Sequence, residues 1–498
     1  MSEFSFEKLD LKSTTTTEAT VTEEMGPGAS LTLSAEALNS VVNVATATNC
    51  VQAGCRIKAC ASLEQRPPVD VVLVLDRSGS MAGGKLTLCK KTIDLLINEL
   101  KPNDRFGLVV FDHQVQVTFE VECIGSKKEM MHEQVSKIIT GGQTNLSGGL
   151  LKGLDILAKA GPGIEEGVTH DRVRAVFLLT DGQANVGITD MNLLRHAVND
   201  AVATMPGAPP SVYTFGYGSA PNAALLQAIV PEERGGYYFV ESTDKVLGAF
   251  ADALGGLLSV VAQNVSLDIH AENASITKVR RDGAKRSSDI SFSVDLGDIY
   301  AEEERDIVVE MKNNQKSDLK LIFNLHFVDA LAGRMIHADP VTVLVKVTDD
   351  ENVLKQNRTS THLATQIARL DVADALADAR SKADQGDFTS VQTSLGRVKS
   401  TIAATSALPQ APQDAELLRR LNFDVDMVQQ SCATNDIYQA RGRHQMTSKM
   451  MGHRAQRCYS DSDSDDDKEE SQPKSRNMYR NAGKKAMKSK WMRFGSGS

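Results

Sequence analysis

The sequence predicts an α/β fold: a doubly wound, mostly parallel sheet joined to an antiparallel β domain and a C-terminal helical region. Three observations predict it. Short apolar runs alternate with helical patterns from residue 67 to 257, as strands buried on both faces with helices between them should. Near Val260 the apolar period drops to two, and from about Thr359 it lengthens again to the helical one.

Residues 1–30, which include STTTTEATVTEE, are polar and aperiodic and predict a disordered arm. Residues 31–66 carry alternating runs, LTLSAEAL and CRIKACASL. In the second, Cys55, Ile57, Ala59, Ala61 and Leu63 share one face, so the segment predicts strands that join the later β domain. Pro67-Pro68 closes it. Within residues 67–257, VDVVLVLD (Val69 to Asp76) is a strand buried on both faces, and KLTLCKKTIDLLINEL sets Leu86, Cys89, Ile93, Leu96, Ile97 and Leu100 on one helical face. RFGLVVFD, RVRAVFLLTD, SVYTFGYG and GGYYFVES predict further strands; MHEQVSKII, LSGGLLKGLDILAKA, AALLQAIV and DKVLGAFADALGGLL predict helices. Residues 258–350 predict the antiparallel β domain through SVVAQNVSLDIHA, ISFSVDLGD, ERDIVVEM, LKLIFNLHFVDA and PVTVLVKVTD. Residues 351–458 predict a helical or coiled-coil region, with Leu363, Ile367, Leu370, Asp374 and Ala377 along one helix and two more near 389–404 and 414–430. Residues 459–498 predict a disordered tail, acidic and then basic.

The 498 residues suit about three domains, and 41% hydrophobic with 24% charged residues suits a globular body. A net charge of -9 argues against nucleic acid as the partner of that body, because phosphate binding needs a basic surface. Seven cysteines, an odd number, are too few for a disulfide scaffold and fit a reducing compartment. The start, MSEFSFEKLD, is acidic where a signal peptide is basic and then apolar, and no apolar run reaches membrane-spanning length. The expectation is a soluble, cytoplasmic protein.

The chemistry concentrates where the first buried strand ends, at Asp76-Arg77-Ser78-Gly79-Ser80. In a doubly wound sheet, ligands bind beyond the carboxyl ends of the strands. The loop Gly141-Gly142-Gln143-Thr144-Asn145 and the strand end Thr180-Asp181-Gly182 reach the same edge in that topology. Together they offer two carboxylates, Asp76 and Asp181, and three hydroxyls, Ser78, Ser80 and Thr144. All five are hard oxygen donors of the kind that suit an octahedral magnesium or manganese ion, and calcium less well.

With these elements the segment resembles the von Willebrand factor A family, whose metal-ion-dependent adhesion site (MIDAS) uses Asp-x-Ser-x-Ser, a later Thr and a later Asp. The resemblance implies a Rossmann-like A domain in which Ser78, Ser80 and Thr144 touch Mg2+ or Mn2+ directly, while Asp76 and Asp181 act through waters or outer hydrogen bonds. Neutral hydroxyl ligands leave the ion much of its charge and an open position, for which an Asp or Glu of a partner protein is the natural ligand. The expected function is a metal-dependent protein-binding module or scaffold. The alternative for these residues is capping of the helix that starts near Lys85, which leaves Thr144 and Asp181 without a purpose. A metal-dependent hydrolase is the weaker enzymatic reading, because it needs a general base near the metal and His113, which follows a strand in FDHQV, reads as a loop or edge histidine.

Beyond the A domain, the run Gly255 to Gln263 and the acidic segment Gly297 to Asp306 look like those of intracellular plant and protist proteins that join an A domain to a β domain and a helical region. Several of that group are RING-finger ubiquitin ligases, which implies a substrate-recruiting or ligase role as an alternative. The layout also resembles the secreted inter-alpha-trypsin inhibitor heavy chains. This sequence contains no Cys-x-x-Cys, whereas a RING needs paired cysteine ligands; Cys50, Cys55 and Cys60 read as small strand hydrophobes. In the tail, Ser460, Ser462 and Ser464 each precede an Asp by three positions and resemble acidophilic kinase sites. The basic stretch with Met487, Trp491, Met492 and Phe494 suits an anionic membrane or a calmodulin-like partner.

Overall fold

The structure, a computed structural model, describes residues 30–61, 66–161, 172–181, 184–217, 222–231, 234–240, 245–313, 317–457, 479 and 481–495. The chain opens with β1 (Leu31–Ala37), the two-residue β2 (Val41–Val42), the short helix α1 (Val44–Asn49) and β3 (Val51–Ala59). β3 ends at Ala59, earlier than the sequence pattern suggests: Ala61 is exposed, and Leu63 lies outside the described residues.

The next segment is the doubly wound unit: β4 (Val69–Asp76), α2 (Gly84–Glu99), β5 (Arg105–Phe111), β6 (Val115–Cys123), α3 (Lys128–Ser136), α4 (Leu146–Lys159), β7 (Val173–Thr180), α5 (Met191–Ala203), β8 (Ser211–Tyr217), α6 (Ala223–Ala228), β9 (Gly235–Val240) and α7 (Val246–Leu257). Its sheet runs β6-β5-β4-β7-β8-β9. All neighbours are parallel except β5 and β6, a hairpin that makes an antiparallel edge. Alternation along β4 divides the core. Val71, Leu73 and Leu75 meet α2, α3 and α7 on one face, while Val72 and Val74 meet α4, α5 and α6 on the other. A central strand apolar from Val71 to Leu75 is thereby satisfied from both sides.

The β region follows: β10 (Val260–Glu272), β11 (Ser275–Val279), β12 (Lys285–Arg286), β13 (Ser291–Tyr300), β14 (Glu304–Lys312), β15 (Leu319–Asp329), β16 (Met335–His337) and β17 (Val341–Val347). One sheet is β1-β3-β14-β11; the other is β12-β13-β10-β15-β17-β2, with β16 on β15. The inward residues of both sheets share one core, including Ile57 and Ile307 from the first and Leu267 and Phe323 from the second. This is a sandwich, each strand alternating between core and outer face.

Helices complete the chain: α8 (Glu351–Leu354), α9 (Thr361–Asp384), α10 (Phe388–Ser406), α11 (Pro412–Ser431), α12 (Asn435–Ile437), α13 (Arg443–Ala455) and α14 (Ala482–Gly495). The long ones form a bundle rather than an extended coiled coil. The stripe that α9 turns into the bundle is Ala368, Val372, Leu376, Ala379 and Ala383. The expected row differs: Leu363 and Leu370 pack instead on Val308 of β14, and Asp374 is exposed. α9 is covered on two sides by different neighbours, so a single-stripe reading picks the wrong face.

The basic end is the clearest departure. Residues 482–495 form α14, which packs on α7 rather than standing free, and Trp491 is fully buried in the core built by α2 and α7. Lys484, Met487 and Trp491 recur at helical spacing and make its inward stripe. Trp491 Nε1 donates to Glu99 Oε1 (3.3 Å), and Lys484 Nζ pairs with the buried Asp252 (3.0 Å). Gly255 permits the approach, since a Cβ there would stand 2.8 Å from Lys484 Cα. Of the apolar residues expected to face a membrane or calmodulin-like partner, Met487 and Trp491 thus pack within the chain, while Met492 is exposed. Ser460, Ser462, Ser464 and the acidic block lie outside the described residues. No helix among the described residues is long and apolar enough to cross a membrane.

Candidate metal centre

β4 delivers Asp76 to the carboxyl edge of the sheet, and the chain then turns sharply through a 3-10 turn at Gly79–Met81. Asp76 is fully buried. Its Oδ1 accepts from the Ser78 amide (2.8 Å), and its Oδ2 accepts from Thr180 Oγ1 at the end of the neighbouring β7 (2.6 Å). Burial raises its carboxyl pKa above the ordinary value; the bonds from Thr180 and Ser78 oppose this, and the nearby Asp181 carboxylate adds to it.

Ser78 is buried and Ser80 exposed, with their hydroxyl oxygens 3.2 Å apart. Neither serine caps α2, whose N-cap is Gly83 and carries no side-chain bond, so capping does not account for them.

The loop bearing Thr144 is tied to this turn by backbone bonds. The Gly141 amide donates to Arg77 O (2.7 Å), the Gly79 amide to Gly142 O (2.9 Å) and the Asn145 amide to Asp112 O (2.7 Å). Gly141 is required by space: a Cβ would fall 1.7 Å from Asp112 Oδ2. Thr144 is buried; its amide donates to Asn185 Oδ1 (2.8 Å), and its carbonyl accepts from the amides of Asn185 and Val186.

Asp181, also buried, follows β7. Its Oδ2 lies 3.4 Å from Lys85 Nζ, which also donates to Ser80 O (3.1 Å). Its Oδ1 is buried with no hydrogen-bond partner among the described residues. A buried carboxylate oxygen left unpaired is costly, and a cation or its bound water would satisfy it.

The three predicted segments therefore meet at one sheet edge, with Asp76, Ser78, Ser80, Thr144 and Asp181 in it; Gly182 lies outside the described residues. No group of three or more His, Cys, Asp and Glu side chains able to hold a metal occurs among the described residues. This centre differs in kind, since hydroxyls outnumber carboxylates. His113 lies 3.3 Å from Asp112 and makes no hydrogen bond to any of the five among the described residues. Sequence reasoning passed over Arg77, Lys85, Asp112 and Asn185. Asp112 had a signal: it follows β5 as Asp76 ends β4.

The model of the von Willebrand factor type A domain matches residues 70–253, and a second, described as VWA / Hh protein intein-like, matches residues 415–490. The chain is 25% identical to an uncharacterised protein of the cyanobacterium Synechocystis over 66% of its own length and 78% of the relative's. It is 26% identical to the E3 ubiquitin-protein ligase WAV3 of Arabidopsis thaliana over 70% of its own length and 44% of the ligase. A pig inter-alpha-trypsin inhibitor heavy chain H1 is 33% identical over 33% of this chain and 18% of its own. In fold, it resembles a von Willebrand factor type A protein from Catenulispora acidiphila, with a TM-score of 0.61, 15% identity and coverage of 78% of this chain and 89% of the other. It also resembles the ArnB paralog VWA2 from Sulfolobus acidocaldarius, with a TM-score of 0.56, 15% identity and coverage of 85% and 98%. Sheet order, helices on both faces and the family match fall on one segment: residues 70–253 of this chain are a von Willebrand factor type A domain.

Proposed function

We propose that this chain is a divalent-metal-dependent protein-binding module whose centre grips an acidic residue of a partner. Domains of this family mediate protein–protein interactions and are generally non-catalytic. The observation that carries the metal reading is the meeting of three segments around a buried Asp181 oxygen that has no hydrogen-bond partner among the described residues. Ser78, Ser80 and Thr144 would hold Mg2+ or Mn2+ directly, and Asp76 and Asp181 through water. When bound, the ion supplies uncancelled positive charge to an incoming Asp or Glu carboxylate.

Calorimetry with Mg2+ on wild type and Asp181→Ala tests the site: the variant loses binding at least tenfold, and equal binding sinks the proposal. Pulldown with and without chelator, with Thr144→Ala as control, then separates metal-anchored partners from others. A second reading, recruitment of substrates to a ubiquitin ligase, is favoured by similarity to WAV3 across 70% of this chain. The chain spans less than half of that relative, and its sequence contains no Cys-x-x-Cys of the kind a RING uses. Reconstituted ubiquitination of a captured partner that is indifferent to this protein would remove the second reading.

A further inference from the structure

The outer face of the larger β sheet carries a second cluster with different chemistry. His326 on β15 and His337 on β16 are cross-strand partners in register. Their neighbours Leu325 and Phe327 point into the sandwich core, so alternation turns both histidines outward. The two Nδ1 atoms lie 2.7 Å apart, one ring donating and the other accepting, with ring centroids 4.7 Å apart and planes at 67°. On the opposite side of the His326 ring, Nε2 lies 3.4 Å from Asp268 Oδ2 on β10. His337 is exposed and His326 half-buried. Two ring nitrogens thus converge on a point that solvent reaches, and one ring has a carboxylate behind it.

We propose that His326 and His337 form a binding site for a borderline transition-metal ion such as Zn2+, with Asp268 orienting His326. Facing lone pairs repel unless something positive lies between them. A shared proton does this in the free protein, and a divalent ion bound by both imidazoles replaces it, the displaced proton passing to the Nε2 of the ring that donated it, so that both ligands are neutral Nε2–H imidazoles. Imidazole nitrogen is a preferred zinc ligand, and a ligating histidine typically places its other ring nitrogen against a carboxylate, as His326 does. Tetrahedral zinc with bonds of about 2.0–2.1 Å needs its two nitrogens about 3.3 Å apart, so the rings must open by roughly 0.6 Å, which outward-facing side chains allow. Water or a donor from another molecule takes the remaining positions. The nitrogen donors separate this site from the hydroxyl-rich centre at the sheet edge, which favours hard ions. Because β16 spans three residues, chelation also fastens a short strand to β15.

Zinc titration of the full chain by calorimetry, with excess Mg2+ present, tests the proposal. Wild type binds one more Zn2+ than the His326→Ala/His337→Ala double variant, and Asp268→Asn keeps that site with affinity about tenfold weaker. The exposed Cys50 and Cys123 contribute the same background to every variant. Circular dichroism confirms that the variants fold, as expected for outward side chains, and His337→Gln alone gives a milder second test with the same loss. Zinc stoichiometry and affinity unchanged in the double variant overturn the site. An Asp268→Asn affinity equal to wild type overturns the role of the carboxylate.

Discussion

At the scale of single residues, the candidate centre depends on small groups that keep two loops in contact. Gly141 is the sharpest case, because no side-chain atom fits between its Cα and Asp112. Gly141→Ala should cost about 1–3 kcal/mol by forced displacement and move the Thr144 loop away from the Asp76 turn. Urea denaturation measures the first effect and Mg2+ calorimetry the second; a variant with wild-type stability means that the loop absorbs the methyl group. That Asp76, Ser78, Ser80 and Asp181 share one sheet edge could be read from sequence because they follow buried apolar runs, whereas Thr144 sits in a loop and entered through the motif of the resembled family. Lys85 and Asn185 were not, since each reaches the centre by a side chain whose direction no spacing in the sequence records.

Among the elements, the buried strands announced themselves by composition, and β4 begins and ends where its apolar run does. Elements with mixed surroundings did not. β6 is partly exposed at the sheet edge, and β11, β12 and β16 are short, so neither offers a strong period. The helix α5 shows only Leu194, Val198 and Val202 to the core and was hidden among polar residues. α14 was hidden by its charge, because a run of lysines and arginines reads as solvated while three inward positions decide its fate. Trp491→Ala should therefore destabilise the docked helix by about 3–5 kcal/mol. Trp491 is the single tryptophan of the chain, so its emission reports the same event in wild type: short-wavelength when docked, shifting red on release. If emission is already that of a hydrated indole in the native protein, the docking is wrong.

For the molecule as a whole, the β sandwich and the helical bundle are joined by buried charge rather than by apolar contact alone. Asp306 on β14 accepts from Arg56 of β3 (3.1 Å), lies 2.9 Å from His362 Nε2 at the start of α9, and accepts from Gln456 Nε2 after α13 (2.9 Å). The other nitrogen of His362 is 2.8 Å from Asp414 of α11. Arg369, fully buried in α9, donates to the carbonyls of His453 and Asp306.

Although burial disfavours its charge, the two aspartates raise the His362 pKa to about 9, and the same cluster holds the Asp306 carboxyl well below its usual range despite its own burial. The raised histidine contributes stability that is complete below its unfolded pKa of about 6.5 and is lost as pH rises through about 9, a change on the order of 3 kcal/mol. The lowered aspartate contributes above the ordinary carboxylate range and is lost as pH falls. Stability measured against pH should thus decline above neutrality in wild type, and this decline should be absent in His362→Gln; identical profiles remove the assignment. Asp306→Ala leaves Arg56 and His362 facing each other and should cost about 3–5 kcal/mol. None of these partners could be paired from sequence, because they lie far apart in the chain and each looks like an ordinary surface charge.

The order of strands has a consequence for synthesis. β3 pairs with β14, so the A domain is inserted between two halves of one sheet, and roughly 250 residues must leave the ribosome before that edge finds its partner. The A domain has all its strands by Val240 and can fold while β1 and β3 wait as an unsealed hairpin, an edge open to wrong pairing with other nascent chains. Chaperone demand during translation should fall when the A domain is excised and β3 is brought close to β10 in the chain.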